Sequence, residues 1–117
     1  MLTCQNGYIS RAGKKGRGVF ARKKLKAGDV IEVSPYIELP PVDYYRCRDS
    51  VINEYRFEVK GRKCAIGLGH TSLYNHCEES NADFFVNSKR RTIMIKATKE
   101  IRRNQEITIN YGYKLQL

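Results

Sequence analysis

Hydrophobic and polar positions alternate over short stretches along most of this chain, and the clearest stretch sets Tyr55, Phe57 and Val59 against Arg56, Glu58 and Lys60. That period of two predicts a strand with its aromatic residues on one sheet face. Gly61 turns the chain, and Lys63 to Ile66 returns as the second arm of a hairpin. A second hairpin pairs Ala82–Asn87 with Thr92–Ala97 across the polar turn Ser88 to Arg91. Val30–Val33 and Tyr36–Leu39 read as two further short strands. Pro40-Pro41 closes the latter, and Val42–Ser50 reads as a short helix despite a weak apolar period. Glu106–Tyr111 supplies the last strand. Many short strands, few helical stretches and no long repeat predict a mostly β fold with irregular connections.

Composition sharpens this picture. The chain has 117 residues, of which 41% are hydrophobic and 29% charged, which suits one compact domain spanning residues 1–117. A chain of this size buries roughly 65% of its unfolded surface, enough for one core without a disulfide framework. No apolar run approaches the length of a membrane span, and the N-terminus lacks the pattern of a secretory signal, so an intracellular protein with no membrane contact is expected. The four cysteines, at positions 4, 47, 64 and 77, form no CxxC pair and read as free thiols.

The formal net charge is +10, and its placement is uneven: the first 26 residues contain eight Lys and Arg and no acid. A second basic cluster runs from Lys89 to Arg103. Such clusters attract nucleic acid, an anionic cofactor group or an acidic partner, and they also occur as plain solvated faces. Charge alone does not choose among these.

Three segments carry candidate chemistry. In Lys14-Lys-Gly-Arg-Gly-Val-Phe-Ala21 two glycines flank one basic residue. A Gly-x-Gly turn can offer N–H groups to a carboxylate, with Lys15 or Arg17 adding charge, or can simply turn the chain. In Leu73-Tyr-Asn-His-Cys-Glu-Glu-Ser-Asn81 the amides of Asn75 and Asn81 can fix a ligand's polar groups or the bend itself. A zinc site through Cys64, His70, His76 and Cys77 is set aside, because adjacent His and Cys suit a tetrahedral site poorly and the usual spacings are missing. The third segment, Asn104-Gln-Glu-Ile-Thr-Ile-Asn-Tyr-Gly-Tyr113, is an alternating strand ending in two tyrosines around a glycine.

Taken in this order, Gly16-Arg17-Gly18, Asn75-His76 and Glu106-Ile107-Thr108-Ile109-Asn110-Tyr111 resemble the motifs of the SET-domain lysine methyltransferases. The resemblance runs from about Arg11 to Tyr113, includes Ala27 to Ile31 and Tyr55-Arg56-Phe57, and is closest in kind to the minimal SET domains of viruses and bacteria. It implies small β sheets with few short helices, and a C-terminal pseudoknot in which one segment passes beneath another loop. It also implies S-adenosyl-L-methionine (S-adenosylmethionine) on one face and a substrate lysine entering a narrow channel from the other. Lys15, Gly16, Arg17 and Gly18 are then expected at the methionine end of the cofactor, Asn75 at its amino group and His76 at the adenine. Tyr111 matches the catalytic tyrosine and also touches the cofactor, Tyr55 lines the channel, and Tyr113 stands near its mouth.

Ile109 occupies a channel position where relatives often carry Phe or Tyr, which leaves room for more than one methyl unless Phe84, Phe85 or Tyr113 fills it. The implied partner is a Lys-containing protein or peptide, a histone tail among them, which places the protein at chromatin in the nucleus for a histone and otherwise in the cytoplasm. Two substitutions depart from the family pattern: Cys77 stands where Ser is frequent and Ser80 where Pro is usual. Only Lys114-Leu-Gln-Leu117 follows Tyr113, so a partner, a second copy in a homodimer or the substrate is expected to complete the site. Two other readings stand beside this one: a catalytically silent SET-fold binding module, and a small basic β domain making non-specific nucleic-acid contacts through Lys14 to Lys26.

Overall fold

The computed structural model describes residues 6–47, 49–51, 55–59 and 63–110. In chain order these form β1 (Gly7–Arg11), a 3-10 turn (Gly13–Lys15), β2 (Arg17–Ala21), β3 (Val30–Leu39), α1 (Pro41–Cys47), β4 (Arg56–Val59), β5 (Lys63–Gly67), β6 (Asn75–His76), β7 (Ala82–Asn87), β8 (Thr92–Ala97) and β9 (Glu106–Ile109). They build a four-stranded sheet, ordered β1-β2-β9-β6, and a five-stranded sheet, ordered β4-β5-β3-β8-β7. The expected mostly β class is what the chain forms.

The hairpin β7/β8 forms with the bounds expected, in continuous antiparallel register from Ala82↔Ala97 to Asn87↔Thr92. β4 and β5 also pair antiparallel, Arg56 opposite Ile66 and Val59 opposite Lys63. Phe57 is buried and meets Phe84 edge to face with ring centroids 4.8 Å apart. Tyr55 precedes β4 and is 40% exposed, so the aromatic face expected of this strand loses its first member.

Three further expectations need correction. Val30–Val33 and Tyr36–Leu39 are one strand, because Pro35 sits where β3 changes partner. β8 pairs with β3 as far as Pro35, and β5 takes over at Tyr36. Proline lacks the N–H a ladder needs, and here its carbonyl is used instead, accepting from the Leu68 N–H at 3.0 Å. The helix is shorter than Val42–Ser50 and starts one residue earlier: Pro41 takes the first position, where its missing N–H costs nothing, and the Pro40 carbonyl accepts from the Asp43 N–H. The last strand ends at Ile109; Tyr111 and Tyr113 lie outside the described residues.

β1 is a strand that polar alternation concealed, its five residues all paired with β2. Gly18 therefore lies inside a strand. The turn proper falls at Ala12 to Gly16, closed by the Ala12 N–H donating to the Gly16 carbonyl at 2.8 Å, with Gly16 at a φ of 82°. β9 enters between β2 and β6, antiparallel to the first and parallel to the second. This interleaving of distant segments is the part of the expected pseudoknot that the described residues contain. The core between the sheets holds Val19, Leu25, Ile31, Tyr74, Ile93, Ile95, Ile101, Ile107 and Ile109. Among the described residues, no helix is long and apolar enough to cross a membrane.

Candidate functional site

The site is built where the ends of β2, β6 and β9 meet. Glu106, first residue of β9, accepts from the Lys15 ammonium through Oε1 and from Asn75 Nδ2 through Oε2, each at 2.8 Å. Asn75 Nδ2 also donates to the Arg17 carbonyl at 2.8 Å. Both amide hydrogens are thus taken by protein acceptors, which fixes the amide's orientation and leaves Oδ1 to accept from a ligand. The strands approach so closely that a Cβ on Gly18 would lie 2.6 Å from Glu106 Oε2 and 2.9 Å from Asn75 Nδ2. Any larger residue there must push both side-chain ends aside.

A cavity of about 210 Å³ opens beside this junction, lined by Lys15, Arg17, Tyr55, Ser72, Leu73, Tyr74 and Asn75. Four residues singled out from the sequence, Lys15, Arg17, Tyr55 and Asn75, therefore share one cavity, with Gly16 and Gly18 as neighbours in the chain. Its polar groups divide by charge. Lys15 and Arg17 suit an anionic group, and the Asn75 oxygen suits an ammonium. His76 is exposed on β6, opposite Ile109 of β9 in the parallel register.

Beneath the cavity lies a residue that the hydrophobic pattern had not marked. Glu32 of β3 has no exposed surface. Its Oε1 accepts from the Tyr74 hydroxyl at 2.6 Å, and its Oε2 accepts from the Ser34 hydroxyl at 2.5 Å and the His70 N–H at 2.8 Å. A buried carboxylate needs such donors, because an unpaired charge away from water is strongly disfavoured. The result is a fixed post under residues 68–74, the loop that delivers Tyr74 to the cavity wall and Asn75 to Glu106. Gly69, at a φ of 64°, packs against Glu32 and Ser34. The Ser72 hydroxyl donates to the Tyr55 carbonyl at 3.2 Å and ties Tyr55 to the same loop. The signal was a lone acid between Ile31 and Val33, and a bulge between Val30 and Glu32 places both Ile31 and Glu32 inside.

Asn81 resolves in favour of the bend. It is 8% exposed, its Nδ2 donates to the Glu106 carbonyl and its Oδ1 accepts from the Thr108 N–H, both at 2.9 Å. Its side chain is spent on holding β9. Ile109 is fully enclosed in the core. Phe84 shares that core, whereas Phe85, the next residue along β7, points to the opposite sheet face and is 46% exposed. Phe85 is therefore not a residue that fills space beside Ile109. Cys64 is buried in β5 and Cys77 is half-buried, and neither is in a disulfide. Among the described residues, no group of three or more His, Cys, Asp and Glu side chains could hold a metal ion.

With this geometry in hand, the comparisons with known proteins converge. A family model described as SET domain matches residues 16–112. The histone-lysine N-methyltransferase, H3 lysine-37 specific, of Schizosaccharomyces pombe is 32% identical over 100 residues, covering 85% of this chain and 68% of that protein. A Plasmodium falciparum protein described as a candidate histone methyltransferase superposes with a TM-score of 0.75 at 24% identity, covering 95% of this chain and 96% of that one. The Chaetomium thermophilum Polycomb Repressive Complex 2 bound to the inhibitor GSK126 contains a region that superposes with a TM-score of 0.79 at 16% identity, covering 96% of this chain and 15% of that one. At these identities the two structures speak for the fold.

Proposed function

The chain belongs to the SET-domain family and is a protein-lysine methyltransferase, and on that premise we propose that it methylates lysines of histone tails using S-adenosylmethionine held at the Lys15–Asn75 cavity. The observation that carries this reading is the convergence of Lys15, Arg17 and Asn75, with Gly18 packed against the Asn75–Glu106 pair, inside the region that matches the family. Residues 1–117 then form one SET domain. The name of the Schizosaccharomyces pombe relative supports a histone substrate and with it a location at chromatin, where the surplus of positive charge suits the DNA beside a histone tail.

The residues present fit the cofactor. Lys15 and Arg17 suit its carboxylate, the free Oδ1 of Asn75 suits its ammonium, and the resemblance gives His76 the adenine side. When bound, S-adenosylmethionine supplies a methyl group activated by a sulfonium. The rest falls to alignment and proton control. The lysine amine must arrive neutral, and the channel that the resemblance assigns to Tyr55 and Tyr113 would, once the substrate excludes water, disfavour its ammonium form. Holding the amine in line at near-attack distance supplies much of the rate. The Tyr111 hydroxyl orients the amine and supports the polarised methyl through weak C–H contacts to oxygen. Ile109 is buried in the core and aliphatic at a sequence position where relatives often carry Phe or Tyr, and on that resemblance we propose that more than one methyl is transferred.

Tritium transfer from labelled S-adenosylmethionine to a panel of histones, beside the same assay with Tyr111→Phe, tests the reading. That variant keeps the ring and is expected to lose about 10²–10³ in turnover with little change in cofactor affinity. Asn75→Ala is expected to abolish the rise in melting temperature that the cofactor gives the wild type. Cofactor binding without transfer to any lysine substrate would identify a silent binding module instead. Mass spectrometry of the product counts the methyls, and strict monomethylation would remove the role given to Ile109.

A further inference from the structure

On the far side of the five-stranded sheet, away from the cavity, lies a second groove of about 640 Å³. Its floor is a cross-strand apolar row: Val33 pairs with Met94, and Met94 with Phe85, so the three side chains stand together on the outer face. Phe85 is 46% exposed, a large aromatic surface for a position inside a regular hairpin. Phe84, Ile93 and Ile95 of the same hairpin fill the inner face, so Phe85 is not needed for folding on that side. One end of the groove is closed by Lys89 and Arg90 in the turn between β7 and β8.

The two cations are held ready. The Arg90 N–H donates to Asn87 Oδ1 at 3.1 Å, Arg91 takes a left-handed φ of 54°, and the Arg91 carbonyl accepts from the Tyr36 N–H at 3.0 Å, so the turn is fixed to β3. Arg91 faces Glu38 at 3.7 Å, and Asp83 lies opposite Lys96 on the neighbouring strand. Among the described residues, Lys89 and Arg90 have no acidic partner. An apolar floor beside two unneutralised cations selects an occupant that brings both an apolar side chain and negative charge.

We propose that this groove docks an acidic peptide segment of a partner protein, with one aromatic or branched aliphatic side chain seated on Val33, Met94 and Phe85 and flanking carboxylates on Lys89 and Arg90. A second copy of this chain is disfavoured, because it would bring the same cations and a net charge of +10. Nucleic acid would use the rim and leave the apolar floor empty, since phosphate contacts come from cations and backbone groups. The groove lies outside the methyl-transfer site, so the proposal does not rest on the catalytic reading.

Selection of random displayed peptides on the full chain tests it. The expected result is enrichment of sequences combining Asp or Glu with one aromatic or aliphatic residue. Affinity of a synthesised winner should fall about tenfold on Phe85→Ser, which removes a central anchor, and about tenfold on Lys89→Glu, which turns attraction for a carboxylate into repulsion. Lys23→Glu, in the other basic cluster, should leave it unchanged. Lys89 lies on an exposed turn, so Lys89→Glu keeps the test decisive even where Phe85→Ser does not fold. Failure to enrich acidic-apolar peptides, or winners indifferent to Lys89→Glu and to a folded Phe85→Ser, overturns the proposal. Duplex DNA binding that Lys89→Glu abolishes, with no such peptides enriched, would give the rim to nucleic acid, and a dimer in light scattering that Phe85→Ser dissociates would give the floor to a second copy.

Discussion

The two sheets divide the work differently. The four-stranded sheet is thin where it matters: β6 has two residues and β9 four, and their junction with β2 is held by polar side chains, Lys15, Asn75, Asn81 and Glu106. The five-stranded sheet rests on the ten-residue β3 and an apolar inner face, with one carboxylate, Glu32, buried among its donors. The polar groups of the candidate site thus sit at a junction held by side-chain hydrogen bonds, and part of the rigidity they need comes from the neighbouring sheet through Glu32 and the loop 68–74. Damage to the first sheet should cost function before stability, and damage at Glu32 should cost both.

The largest effect is expected at Glu32. Glu32→Ala strips the acceptor from the Tyr74 and Ser34 hydroxyls and the His70 N–H, and should lower unfolding free energy by about 3–5 kcal/mol, since each buried donor left unpaired costs about 1–3 kcal/mol. Glu32→Gln should recover a large part, because it keeps the shape and one acceptor oxygen. Urea unfolding and cofactor calorimetry on both variants check this, and a loss under about 1 kcal/mol would mean that the two sheets are independent.

Gly18→Ala comes next, with a stability loss of about 1–3 kcal/mol typical of overpacking. Its Cβ must force Glu106 and Asn75 apart. Cofactor-dependent stabilisation should vanish, out of proportion to the stability change, and a normal cofactor response would show that the junction is not the binding site.

Tyr36 offers a change of the opposite sign. It is 5% exposed on β3, and its hydroxyl is buried without a hydrogen-bond partner among the described residues. Its pKa is raised above 10.0 by burial first and by Glu38 second, with Arg91 opposing. Tyr36→Phe removes the unsatisfied hydroxyl and should stabilise the protein by about 1 kcal/mol at neutral pH. A raised folded-state pKa means the neutral form is the one folding favours. The wild type therefore keeps this contribution below pH 10.0 and loses it as pH rises through the higher folded value. Denaturant midpoints measured from neutral pH to above pH 10 should show the wild type falling further than the variant, and parallel curves would remove Tyr36 from the alkaline response.

The smallest stability effect belongs to Lys15→Met. The Lys15 side chain is 48% exposed, so its pair with Glu106 should contribute no more than about 0.5–1 kcal/mol to folding. Cofactor affinity should still weaken. A stability loss as large as that of Gly18→Ala would erase the distinction between the sheets.

What was legible in the sequence follows the same division. The β7/β8 hairpin could be read to the residue because apolar positions alternate on both arms and the turn is polar throughout. The order of the three motifs brings Lys15, Arg17 and Asn75 to one cavity and Glu106 into contact with two of them, since each motif sits at the end of a strand. β1 was hidden because Tyr8 and Ile9 are followed by polar residues and the strand is recognised only by its pairing with β2. Pro35 looked like a break because local pattern carries no record of a strand changing partners. Glu32 went unmarked, because the bulge that turns it inward and the donors that satisfy it are set by tertiary pairing, with partners up to 42 positions away. Tertiary partners decide such positions, and alternation alone does not contain them.

The insertion of β9 between β2 and β6 has a consequence for how the protein comes to be made. Lys15 and Glu106, whose contact closes the site, lie 91 positions apart, and the Tyr8 hydroxyl reaches Asn104 across 96. Closure entropy over such a span is spent before any contact repays it, and non-local pairing of this kind slows folding. During synthesis, β2 and β6 leave the ribosome with a gap between them that no earlier segment fills, and Glu106 is absent until β9 emerges. The carboxylate that orients Lys15 and Asn75 therefore arrives only with β9, the last strand in chain order among the described residues, and the cavity takes its shape late in synthesis.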